Sequence, residues 1–217
     1  MEILDPRERP EKPTPGLVVA TYDAVAAEYD AKAAERKAVS KVLIDRLAQF
    51  IPEGGSVLDV GCAVGVQVEC LLEAGYDVTG VDISPQMVEF AQRRNPQARI
   101  LVGDVFSLPE GDAYDGILAL AFIHLFPKTA VAEIMAKLKT FLAEDGVLHL
   151  TTTLAQQSRE GWEEKQDYQG GHGRFRKHWT HEELVAFLRK NDWRILDDYL
   201  LRDSFEKEWM NITITAS

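Results

Sequence analysis

One stretch constrains the fold more than any other: Val57-Leu-Asp-Val-Gly61-Cys62-Ala63-Val64-Gly65-Val66. A short apolar run passes straight into two spaced glycines and then into a helical pattern. Glycine permits a tight turn and lets backbone come close to a ligand. A strand joined to a helix in this way is the opening unit of a parallel α/β sheet. The rest of the chain keeps the same rhythm. Val66 to Ala74 reads as a helix ended by Gly75, and Tyr76 to Val81 as a second strand. Ser84-Pro85 opens the next helix, with serine as the cap and proline in the first turn. Arg99 to Val102 and Gly116 to Ala121 are further strands. The second of these is apolar throughout, as expected where helices cover both sheet faces. Ile134, Leu138 and Leu142 mark a helix, and Asp145-Gly146 turns into a fifth strand, Val147 to Thr152.

The flanks complete the pattern. Val18, Tyr22, Val25 and Tyr29, then Val39, Val42, Leu43 and Leu47, recur at helical spacing and predict two N-terminal helices. Thr180 and Glu183 form a capping box before a last helix. Trp193 to Leu201 and Glu208 to Thr215 then read as two strands. The expectation is a doubly wound α/β sheet with an antiparallel edge strand. The chain's 217 residues suit one domain. Residues 1–16 carry Pro6, Pro10, Pro13 and Pro15 among charges and are expected to be a flexible tail, leaving 17–217 as the domain. Residues 154–178 interrupt the rhythm with polar residues, Gly170, Gly171 and Gly173, and several aromatic and basic side chains. They predict a lid over the carboxyl ends of the strands, where open α/β sheets bind ligands.

The glycine turn narrows the ligand. In a dinucleotide fingerprint, G-x-G-x-x-G, the second and third glycines admit a pyrophosphate; here Ala63 and Val66 stand in those places. No Gly-Lys-Ser/Thr follows, so it is not a P-loop. The turn suits a nucleoside without a phosphate chain. Asp82 ends the second strand twenty-one residues after Gly61, where an acid accepts bonds from both ribose hydroxyls. Asp104, in Gly103-Asp-Val-Phe, follows the third strand and is placed to accept from an exocyclic amine. Together these features describe an adenosine pocket. Ala63 is expected to sit in ordinary backbone space.

Composition excludes other classes. Lys and Arg number 24 against 35 Asp and Glu, a net charge of −11, which disfavours nucleic acid and anionic membrane as partners. The longest apolar run, Ile117 to Ile123, is too short to span a bilayer, and the first residues lack the order of a signal peptide. Cys62 and Cys70 are the only cysteines, which fits a reducing, cytoplasmic location. His178 and His181 straddle a helix start with no carboxylate or cysteine to complete a ligand set, so no metal is expected.

Five elements in order resemble the class I S-adenosylmethionine-dependent methyltransferases, small-molecule branch. They are Val57-Leu-Asp-Val-Gly-Cys-Ala-Val-Gly, Gly80-Val-Asp-Ile-Ser-Pro-Gln-Met, Gly103-Asp-Val, Tyr114-Asp-Gly-Ile-Leu-Ala-Leu-Ala-Phe-Ile-His and Leu142-Ala-Glu-Asp-Gly-Val-Leu. Thr21-Tyr22-Asp23 and Trp209-Met-Asn-Ile extend the likeness to the flanks. Ala63 departs from it, since a third glycine is more usual there. The resemblance implies a Rossmann-like, seven-stranded sheet and S-adenosyl-L-methionine as cofactor. It places Gly61, Cys62, Ala63 and Gly65 along the cofactor, Asp59 on the loop or the α-amino group, and Asp82 on the ribose. Ile83 and Met87 would sandwich adenine. Asp104, with Gly103 and Val105, would receive its amine, and Leu120 and Ala121 would lie beneath the cofactor. Tyr22 and Tyr29 either close over the methionine end or pack as core. Cys62 reads otherwise as a small packed residue.

On the acceptor side, His124 is either a general base or a pocket wall. Trp162, Tyr168, His172, Arg174, Arg176 and His178 in the lid are candidates to bind an acidic or aromatic acceptor group, against a plain solvated loop. The expected function is methyl transfer to an oxygen or nitrogen of a small polar metabolite by a monomer or homodimer. Two alternatives stay open: a non-catalytic binding protein for the same cofactor, and a nicotinamide-dependent oxidoreductase, which the incomplete phosphate fingerprint disfavours.

Overall fold

The computed structural model describes residue 10, residues 12–165, residues 172–203 and residues 206–217. In chain order the elements are α1 (Pro15–Ala31), α2 (Ala33–Leu47), β1 (Ser56–Val60), α3 (Val66–Glu73), β2 (Asp77–Asp82), α4 (Pro85–Arg94) and β3 (Arg99–Val102). They continue with β4 (Tyr114–Leu120), a 3-10 turn (Ile123–Leu125), α5 (Lys128–Lys139), β5 (Leu142–Thr153), β6 (Arg159–Lys165), β7 (His172–His178), α6 (His181–Lys190), β8 (Trp193–Arg202) and β9 (Glu208–Ala216). Seven strands form one sheet in the order β3-β2-β1-β4-β5-β9-β8. All run parallel except β9, which pairs antiparallel with β5 on one side and with β8 on the other.

Local chemistry starts the helices as expected. Ser84 Oγ accepts from Met87 N and Thr180 Oγ1 accepts from Glu183 N. Thr14 Oγ1 accepts from Leu17 N, so α1 begins at Pro15. The tail expectation therefore extended too far. Pro15 and Gly16 are helical because proline in the first turn fits a helix and threonine caps it.

The central strands are buried on both faces. Leu58, Ile117, Leu148, Leu150 and Ile212 meet α5 and α6 on one side, while Val57, Leu118 and Val147 meet α2, α3 and α4 on the other. Each fully buried side chain of this size contributes roughly 1.5–3 kcal/mol. A smaller apolar cluster joins α1, through Val25 and Ala26, to Met87 of α4 and Val66 of α3. No helix among the described residues is long and apolar enough to cross a membrane.

The inserted segment is a β-hairpin, β6 with β7, apart from the main sheet. Trp162 and Phe175 meet edge to face across it, 6.0 Å apart. Its base is anchored by Lys177, 3% exposed, whose Nζ donates to Ser158 Oγ at 2.6 Å and to Glu183 Oε2 at 2.7 Å. Burial pushes the Glu183 carboxyl up, but bonds from Lys128 and Lys177 outweigh it and hold it at about 2. The hairpin packs on the 3-10 turn after β4 and on α1, at the carboxyl ends of the parallel strands.

Candidate active site

The glycine turn is closed by backbone bonds. Gly61 N and Cys62 N both donate to Val81 O, at 2.8 and 3.1 Å, and Gly65 N donates to Cys62 O at 2.9 Å. Gly61, Ala63 and Gly65 all take positive φ, at 71°, 46° and 76°. Ala63 thus departs from the expected ordinary backbone space. The cause is Asp82, whose Oδ2 accepts from Ala63 N at 2.9 Å while Oδ1 accepts from Ser84 N at 2.9 Å. The carboxylate pulls the turn onto the end of β2, and alanine in a left-handed conformation costs roughly 1–2 kcal/mol.

Gly65 is required for a second reason. A Cβ there would lie 2.6 Å from Asn95 Nδ2 and 3.0 Å from the Ala91 backbone, so α4 packs directly on the turn. Cys62 offers the site only its backbone. Its side chain lies against Gly80 in the core, and burial pushes its thiol up, away from nucleophile chemistry.

Two acids meet beside this turn. Asp82 is raised by burial, against the pull of the Ser84 and Ala63 amides. Asp59 is 2% exposed, and its Oδ2 is buried without a partner. Burial first, and the charge of Asp82 second, push it up to about 7. An orphaned buried carboxylate oxygen is costly, and a cationic ligand group would satisfy it.

The rest of the expected cofactor shell divides. Asp104 is exposed, and its Oδ1 accepts from Phe106 N and Ser107 N, both at 3.0 Å. One oxygen closes a turn and the other lies outside it. Gly103 is required there, because a Cβ would collide with the Ser107 hydroxyl. Ile83 is half-buried, but Val105 points into the main core. Met87 does not present an open face for a ring: it is fully buried, enclosed by Val25 and Ala26 of α1. Ala121, after Leu120 at the end of β4, also takes positive φ, at 53°, and its N–H donates to both O and Oγ1 of Thr151.

Two residues of this half escaped the sequence reading. The Phe122 ring lies over the turn, 3.0 Å from where a Gly61 Cβ would stand. Asp23 Oδ1 accepts from Ser84 Oγ and Gln86 N, clamping α1 onto the start of α4. The available signals were an aromatic residue directly after a strand and an acid beside Tyr22.

On the acceptor side Tyr22, Arg174 and Arg176 come together. Tyr22 and Tyr29 meet edge to face at 6.4 Å, and the Arg174 guanidinium lies 5.9 Å from the Tyr22 ring centre. Burial and Tyr29 push the Tyr22 hydroxyl up, while Arg174 and Arg176 oppose the shift. Tyr29 is also stacked under Arg36 at 4.1 Å. His124 is 2% exposed, with Nδ1 3.0 Å from Thr152 Oγ1 and its ring 6.1 Å from Trp209.

Other lid candidates are already engaged. Trp162 Nε1 donates to Pro10 O at 2.7 Å, and His178 Nε2 lies 2.7 Å from Glu163 Oε1. These two hold the hairpin together and hold it to the start of the chain, and Trp162 also lines a small cavity with Tyr22 and Arg174. Tyr168 lies outside the described residues, as does the side chain of His172.

Comparison with known proteins agrees with this geometry. Residues 57–146 match a family profile described as a methyltransferase domain. One relative is the dTDP-4-amino-2,3,4,6-tetradeoxy-D-glucose N,N-dimethyltransferase of Saccharopolyspora spinosa, 31% identical over 99 residues, or 45% of this chain and 40% of that protein. Another is the dTDP-3-amino-3,6-dideoxy-alpha-D-glucopyranose N,N-dimethyltransferase of Streptomyces fradiae, 28% identical over 142 residues, covering 64% and 54%. The chain spans about half the length of the curated relatives it matches. Among solved structures, the 1,6-didemethyltoxoflavin-N1-methyltransferase of Burkholderia thailandensis, with 1,6-didemethyltoxoflavin and S-adenosylhomocysteine bound, matches with a TM-score of 0.69 at 20% identity. That match covers 100% of this chain and 98% of the other. The chain shares its fold with these methyltransferases, and residues 57–146 carry the match to the methyltransferase domain.

Proposed function

We propose that the protein binds S-adenosyl-L-methionine and methylates an oxygen or nitrogen of a small molecule. The observation that carries the reading is the acid pair on the glycine turn. Asp59 Oδ2 is buried and unpartnered, where a cationic amino group fits. Each Asp82 oxygen accepts one backbone N–H, and a carboxylate has further lone pairs for a ribose diol. Gly61 to Gly65 keep side chains off the path between them.

When bound, the cofactor supplies an activated methyl group: the acceptor lone pair forms the new bond to carbon as the carbon–sulfur bond breaks and its electron pair passes to sulfur. The chain's work is positioning and exclusion of water. Phe122 and Tyr22 wall the reacting end, and the hairpin covers it. His124, held through Nδ1 by Thr152, is the candidate base for the proton the acceptor loses. The net charge of −11 supports a free metabolite over nucleic acid, and two free buried thiols support a reducing compartment.

Calorimetry with S-adenosylhomocysteine tests the cofactor half. Wild type should bind, and NADH should not. No binding of S-adenosylhomocysteine by wild type sinks the reading.

A further inference from the structure

We infer that Arg176, with Arg174 beside it, forms an oxyanion site that selects acceptors bearing a carboxylate or phosphate group. The inference rests on the proposed methyl transfer and names the acceptor class.

Arg174 and Arg176 are two apart on β7 and so project to one face of the hairpin. In register, Glu163 stands opposite Arg174 and Gly161 opposite Arg176. Glu163 is already engaged, its Oε1 held by Arg159 at 2.6 Å and His178 at 2.7 Å. Gly161 leaves room, since a Cβ there would meet nothing within 4 Å. Arg176 is half-buried, its Nε is buried without a hydrogen-bond partner, and no carboxylate pairs with it among the described residues.

That departs from the chain's habit. It has an excess of acids, and it pairs two comparably shielded bases with carboxylates, Arg94 with Asp30 and Glu69, and Lys177 with Glu183. A shielded guanidinium left unpaired is costly unless something else supplies the anion. The planar fork matches a carboxylate or phosphate face. Its position also suits an acceptor. Tyr22, 5.9 Å from Arg174 at its ring centre, feels the charge of both arginines and of Asp82. Beside Arg174, a small cavity is walled by Leu17, Val18, Phe126 and Phe175, which gives that side of the site an apolar wall.

The test uses the full chain saturated with S-adenosylhomocysteine, titrated with phenylacetate, phenyl phosphate and neutral phenylacetamide. One of the two anions should bind wild type at least tenfold better than the amide, and the tighter one names the oxyanion. Arg176→Gln should remove that preference, and Arg176→Lys should keep part of it, a graded response that misfolding does not produce. Failure of both anions to bind, equal binding of the amide, or an unchanged preference in Arg176→Gln overturns the inference. A separate arm compares S-adenosylhomocysteine with 5′-methylthioadenosine, which lacks the amino-acid end. If Arg176→Gln weakens only the former, the arginines serve the cofactor's own carboxylate and the acceptor site is wrong. If wild type binds no S-adenosylhomocysteine, the methyltransferase reading itself fails and the inference falls with it.

Discussion

The two halves of the cleft are built by different means. The proposed cofactor half is backbone: a turn with three residues at positive φ, sealed by amide bonds to Val81 O and to the Asp82 carboxylate. The turn and its two acids lie between Asp59 and Asp82 in sequence. The proposed acceptor half is side chain: Tyr22 from α1, His124 after β4, and Arg174 and Arg176 from a hairpin. Its parts span most of the chain. The first half is fixed by strand ends and varies little without collapse. The second rests on an appendage whose charges can change while the sheet stays intact.

The largest expected effect tests the first half alone. Asp82→Ala removes the acceptor of two backbone N–H groups and the proposed ribose ligand. S-adenosylhomocysteine affinity should fall at least a hundredfold, about 2.8 kcal/mol. Calorimetry checks it, and far-UV circular dichroism should stay near wild type because the strands do not depend on that carboxylate. Retained affinity would mean that the ligand does not lie along the turn.

The second perturbation is aimed at the hairpin. Lys177→Met keeps length but leaves Ser158 without its donor and Glu183 without one of its two lysines. A loss of about 1–3 kcal/mol follows from breaking a shielded pair. Amides of β6 and β7 should exchange faster with solvent, while those of the glycine turn keep wild-type protection and S-adenosylhomocysteine affinity stays within twofold. Equal loosening of both would show that the halves are not separable.

This division explains what was legible in the sequence. The strands and the turn announced themselves because apolar runs, glycines and caps act over a few residues. The hairpin read only as a polar interruption. Its apolar partners are just Trp162 and Phe175, too few for a two-residue alternation to stand out. The left-handed state of Ala63 is imposed by Asp82, nineteen residues away. Likewise Asp23 acts on Ser84 across sixty-one residues. The resemblance put Met87 against adenine, but only the placement of α1 says that Val25 and Ala26 fill the space beside it.

Asp59 offers a smaller effect with a defined pH window. Its carboxyl is pushed up to about 7 in the folded chain, well above the ordinary value near 3.8. Between those values the folded state holds a proton that the unfolded state has lost, so the free protein's stability should fall as pH rises from about 4 to 7. A bound cation favours the ionised form, so S-adenosylhomocysteine affinity should rise over the upper part of that window. Asp59→Asn should flatten both trends and raise the stability of the free protein at pH 8, measured by urea unfolding at several pH values. Trends of wild-type slope in the variant would assign them to other groups.

The smallest expected effect returns to the turn and asks whether its strain is intrinsic. Ala63 bears a left-handed backbone that glycine adopts freely. Ala63→Gly relieves that cost but frees the unfolded chain and removes a methyl packed beside Val64 and Val66. The relief should exceed the losses by about 1 kcal/mol, raising Tm by roughly 2–4 °C for a chain of this size. S-adenosylhomocysteine affinity should hold, because the Ala63 N–H that Asp82 accepts is unchanged. Ala121→Gly relieves the same strain at the end of β4, where Thr151 holds the N–H with two acceptors. A gain at Ala63 with none at Ala121 would show that the strain sits in the backbone-built half. A lower Tm in Ala63→Gly would show instead that the methyl's packing outweighs the conformation it requires.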